Sequence, residues 1–122
     1  MQERIYKTWG QRHKLYENHL CEVCYLDLEP YQRCSYHFHN SKSNYFFVIT
    51  GELTVKTEWG TVNLGPNESF TVHPQDKHEF QTGMAPTKII EVAYVKLDSE
   101  DIYRGKLGGP IQDEVGEYEQ TR

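Results

Sequence analysis

The sequence predicts an all-β, single-domain protein, and three features carry that expectation. Short runs rich in β-branched and aromatic residues recur between clusters of turn-forming residues, several of those runs alternate apolar with polar, and no ten-residue stretch shows a convincing 3.6-residue period. At 122 residues and 37% hydrophobic content, the chain suits one compact domain with one modest core.

The elements follow in order. "LCEVCYLDL" is a strand on which Cys21 and Cys24, an odd number of residues apart, send their thiols to opposite faces. That spacing favours buried apolar thiols over redox or zinc use. "RCSYHFH" follows the turn at Glu29 and Pro30. Read as a regular strand, it sets Arg33, Ser35, His37 and His39 on one side and Cys34, Tyr36 and Phe38 on the other. After "NSKSN", the strand "YFFVI" should place Asn44, Phe46 and Val48 on one face and Tyr45, Phe47 and Ile49 on its opposite. "ELTVKTEW" alternates Leu53, Val55 and Thr57 against Glu52, Thr54 and Lys56, the pattern of a strand with one wet side. "HEFQT" starts at His78, and "TKIIEVAYVKL", apolar on both faces, should lie deeper. In "DSEDIYRG", Asp98 or Ser99 could cap one short helix closed by Gly105. The domain is expected to span residues 1–105, with residues 106–122 a loosely held tail.

Charge and composition exclude several classes. Eighteen acidic against 13 basic residues give a net charge of −5, which argues against nucleic acid or an anionic membrane as partner. No apolar run is long enough to span a bilayer, and "MQERIYKTWG" lacks the apolar centre of a signal peptide. With three cysteines, an odd number, a reducing and cytoplasmic setting is the simpler expectation.

Two histidines one residue apart on a strand bring their imidazoles to chelating distance. Asn44 on the returning strand can face them, and His78 supplies a third imidazole from a separate segment. His37, His39, Asn44 and His78 are therefore the candidate ligands of one divalent metal ion, Zn, Fe, Mn or Ni. A phosphate or carboxylate could be held by Lys42 or Arg33, with Tyr45 a further substrate contact, and His73 with Lys42 could serve proton transfer. Trp9 and Trp59 read as packing residues.

The spans "HFHNSKSNYFFVITG" and "GPNESFTVHPQDKH" resemble the two motifs of the cupin superfamily. "KTWG", "LGPNESF", "IIEV" and "EDIYR" narrow the resemblance to mannose-6-phosphate isomerase-like cupins. The resemblance implies a double-stranded antiparallel β-helix, or jelly-roll barrel, with its site in the barrel mouth. It also implies aldose–ketose isomerisation of a sugar phosphate. The family usually carries glutamate where this chain has Asn44. A non-catalytic binder of a sugar or carboxylate, and a three-histidine Fe(II) dioxygenase, are the alternatives. Small cupins pair, and Tyr6, Trp9, Tyr36, Phe38, Tyr45 and Phe47 exceed what one small barrel needs to bury, so a homodimer is expected.

Overall fold

The computed structural model describes residues 3–95 together with Tyr103, Pro110 and Ile111. The short helix expected near Gly105 and the tail from residue 106 lie essentially outside the described residues. The described residues form nine strands: β1 (Glu3–Lys7), β2 (Gly10–Glu17), β3 (Cys21–Leu28), β4 (Ser43–Thr50), β5 (Leu53–Thr57), β6 (Gly60–Leu64), β7 (Ser69–Val72), β8 (His78–Thr82) and β9 (Thr87–Tyr94). No helix among the described residues is long and apolar enough to cross a membrane.

All strand pairs are antiparallel, in a six-stranded sheet ordered β1-β2-β3-β9-β4-β7 and a three-stranded sheet ordered β6-β5-β8. The period-2 alternation seen in the sequence decides which side chains meet between the sheets. Leu26 and Leu28 of β3, Phe46 and Val48 of β4 and Ile89 of β9 are buried, as are Leu53 and Val55 of β5 and Phe80 of β8. Each such burial contributes about 1.5–3 kcal/mol.

The chain crosses between sheets at Gly51, directly after β4. Its φ is +87°, and a Cβ there would lie 2.4 Å from Thr87 Oγ1 and 2.6 Å from Pro86 O. Glycine is required on both counts. The fully buried Thr87 closes this corner: its hydroxyl accepts from Glu52 N–H (3.1 Å) and donates to Glu52 C=O (3.0 Å).

Residues 32–37 run antiparallel beside β8 without forming the regular strand that "RCSYHFH" suggests. Arg33 bridges Gln81 and His37 bridges His78. The segment advances four residues between those bridges while β8 retreats three, so one extra residue is accommodated, as in a β-bulge. A one-residue slip reverses the facing of everything beyond it. Before the bulge Cys34 is buried, with Arg33 exposed; after it Tyr36 and Phe38 are 51% and 49% exposed, and His37 and His39 turn inward.

Candidate metal centre

His78 opens β8 in the same inward row as Phe80 and is 1% exposed. The bulge delivers His37 and His39 to it. Ring centroids lie 4.5 Å apart for His37 and His78, 4.9 Å for His37 and His39, and 5.6 Å for His39 and His78. One nitrogen from each ring falls within 4.8 Å of the others.

Main-chain carbonyls orient two of the rings. His37 Nδ1 sits 2.7 Å from Ser35 O and His78 Nδ1 sits 2.9 Å from Asp76 O. A carbonyl can only accept, so each Nδ1 carries the proton and each Nε2 keeps its lone pair. His78 Nε2 is buried with no hydrogen-bond partner. Burial, with smaller effects from Lys42, His37 and His78, lowers His39 to a pKa of about 4. Burial also lowers His78. Neutral imidazoles with free lone pairs are the form that ligates a metal, so these residues fit a divalent ion.

Asn44, 3% exposed, lines the same cavity of about 300 Å³ as His37 and His39. Its Nδ2 donates to Glu91 Oε2 at 2.8 Å, and its Oδ1 is buried without a partner. Glu91 is the charged exception in the inward row of β9, between Ile89 and Ala93, and stands opposite Cys24 of β3 and Phe46 of β4. Burial pushes its carboxyl upward against the opposing pull of Arg12, Asn44 and Lys42.

The cavity gathers cations as well. Lys7, Arg12 and Lys42 line it, and Arg12 is tethered to Glu22, whose other oxygen lies 3.4 Å from Lys14 Nζ. Trp9 forms part of the wall and packs edge-on against Phe80 at 5.5 Å, the packing role expected of it.

Of the residues singled out from the sequence, the fold brings together His37, His39, His78, Asn44 and Lys42. Three others are corrected. Arg33 is exposed and lines a separate depression with Tyr31 and Gln81, because it precedes the bulge and faces away from the histidines. Tyr45 points to the outer face of the large sheet, since its neighbours Asn44 and Phe46 occupy the inner one. His73 follows Val72, which is buried opposite Asn44, and so turns out of the barrel into a groove shared with Trp59 and Asp76. Trp59 is 80% exposed at the tight turn between β5 and β6 and is not the packing residue expected. Cys24 and Cys34 are buried and Cys21 is half-buried, all three as free thiols, and burial raises both Cys24 and Cys34 to about 11.

Residues 1–106 match the family described as mannose-6-phosphate isomerase C-terminal. The chain belongs to this family. No curated protein matches it by sequence. Among solved structures it is similar to an RmlC-like cupin from Shewanella frigidimarina, at 22% identity and a TM-score of 0.70 over 83% of this chain and 88% of that one. A sugar phosphate isomerase of the cupin superfamily from Silicibacter pomeroyi aligns at 16% identity, with a TM-score of 0.67 over 78% and 72%. The Bacillus subtilis oxalate decarboxylase, described for its Mn(II) centres, aligns at 15% identity and a TM-score of 0.68, over 83% of this chain and 29% of that one. At these identities the likeness establishes the cupin fold.

This member of the mannose-6-phosphate isomerase C-terminal family therefore sets three imidazoles and an amide oxygen beside a cavity lined by two half-buried carboxylates, Glu22 and Glu91, and by Lys7, Arg12 and Lys42. Glu91 and Arg12 were not among the residues picked out from the sequence. Glu91 had a signal: in "TKIIEVAY" it falls in register with Ile89 and Ala93, and a charge in an apolar row is informative. Arg12 had none, because the face it takes depends on pairing with β3.

Proposed function

We propose that the protein binds a divalent metal through His37, His39 and His78, with Asn44 as a further ligand. In this reading it acts on a small anionic sugar, with aldose–ketose isomerisation of a sugar phosphate as the reaction. One observation carries the reading: His37 and His39, which group with buried His78, line the cavity that Lys7, Arg12, Lys42 and Glu91 share. Arg12 and Lys42 neutralise the anionic group, replacing Arg33 in the role first given to it. Glu91 is the carboxylate placed to take up and return a proton between neighbouring carbons. When bound, the metal supplies Lewis-acid polarisation of a carbonyl oxygen.

The test is conversion of mannose 6-phosphate to fructose 6-phosphate by metal-loaded protein. Turnover lost in both His39→Ala and Glu91→Gln supports the reading. No turnover above the His39→Ala background contradicts it. A second reading, a non-catalytic binder, is favoured by the hydrogen bond that already engages Glu91 with Asn44. A binder shows no turnover but gains thermal stability from a sugar acid or sugar phosphate. Fe(II)-dependent oxygen uptake with small thiols would instead point to the dioxygenase class that a glutamate-free three-histidine set allows.

A further inference from the structure

The site holds two buried polar atoms without partners, Asn44 Oδ1 and His78 Nε2. Both are lone-pair atoms: His78 commits its ring proton to Asp76 O, and the Asn44 oxygen has none to give. Neither can satisfy the other. An unpaired buried acceptor is costly because its lost hydration is not replaced, so two in one site call for something electropositive.

What makes Asn44 present an oxygen is Glu91. An asparagine amide offers either its NH₂ or its oxygen in a given direction, and the two are nearly equal in size. In the contact present Asn44 Nδ2 donates to Glu91 Oε2, the one orientation an ionised carboxylate admits, and Oδ1 is turned away from Glu91. Without that carboxylate the amide could flip and aim hydrogens at a cation.

We infer that Glu91 is a positioning residue for the metal centre: it fixes the Asn44 amide so that Oδ1 serves the ion, and it stands one hydrogen bond out from the place where the family carries a ligating glutamate. This rests on the metal-binding reading above.

The experiment is a Zn(II) competition titration against a chromogenic chelator, with no activity readout. Glu91→Gln, whose amide can donate to Asn44 Oδ1 and compete for it, should weaken Zn(II) binding by about 10–100-fold, the usual effect of losing a partner behind a ligand. In the Asn44→Leu background the same change should alter affinity by less than about 3-fold, because the amide it controls is gone. The exchange Asn44→Asp with Glu91→Gln reverses the hydrogen bond and should restore binding to the wild-type level or better. It keeps the question open to test if Glu91→Gln alone fails to fold. Equal Zn(II) affinity for Glu91→Gln and wild type would overturn the inference. So would an equal loss with and without Asn44, which would mean that Glu91 acts by charge alone. His39→Ala separates the two levels: if it binds as tightly as wild type the metal reading falls, and if it alone loses the metal only the role of Glu91 falls.

Discussion

His37 and His78 hold each other through their main chains in both directions, His37 N–H to His78 C=O at 3.0 Å and His78 N–H to His37 C=O at 2.8 Å. The bulge just upstream turns both side chains of the His-x-His pair toward the cavity. Deleting Tyr36 removes the extra residue and leaves three steps on each strand between the two bridges, so His37 should stay opposite His78 and both histidines should still face inward. Zn(II) affinity should then stay within about 10-fold of wild type, while far-ultraviolet circular dichroism keeps its β signature. A loss of ~100-fold or more would show that the facing of the pair is not set by pairing with β8.

The sheets were legible because a period of two, once one face is buried, leaves little choice of facing. Leu53 and Val55 against Thr54 and Lys56 is such a case, as is Asn44 with Phe46 and Val48. The bulge was not legible: nothing in "RCSYHFH" marks an inserted residue, and its position is set by pairing with β8, far along the chain. His37 and His39 could be grouped from the sequence because alternation after the bulge is intact. Arg33 was misplaced because alternation was carried across it.

Asn44→Glu sets a second carboxylate against Glu91, which is already enclosed. The metal-free variant should lose about 1–3 kcal/mol in urea unfolding, from like charges in contact and the lost amide donor. Zn(II) should return that stability and bind more tightly than to wild type, while affinity for inorganic phosphate falls. Unchanged stability and affinity would place residue 44 away from the ion.

Gly51→Ala tests the corner between the sheets. With φ at +87° and Pro86 O within 2.6 Å of the added carbon, the backbone must shift, and the cost should be at least ~2 kcal/mol in denaturant unfolding. A loss under ~0.5 kcal/mol would mean that the corner relaxes freely.

Cys24 and Cys34 are raised to about 11 by burial, against an ordinary value of 9.0. Unfolded thiols ionise first as pH rises, so stability should decline between pH 9 and 11 and be unaffected by these groups below that window. At pH 8 a thiol reagent should label half-buried Cys21 fastest, with Cys24 and Cys34 slower by about 100-fold or more. Equal labelling of all three in the native protein would contradict the packing.

The outer face of the large sheet carries Tyr25, Tyr45, Phe47, Ile90 and Val92, all only half-buried. Val92 and Ile90 stand opposite Tyr45 and Phe47 across adjacent strands, which makes the patch continuous. A second copy covering this face would account for it. Light scattering at micromolar concentration should give twice the 14.4 kDa chain mass, and Phe47→Glu should give the monomer. A wild-type monomer would leave the face needing another partner.

The most direct test of the account is the metal itself. Elemental analysis of untagged protein, followed by Zn(II) titration of wild type and of His37→Ala, His39→Ala and His78→Ala, asks whether these three side chains bind one ion. Wild type should hold about one divalent ion per chain, and each variant should bind Zn(II) at least ~100-fold more weakly. Wild-type protein that retains no metal, and that binds Zn(II) no more tightly than the three variants, would contradict it.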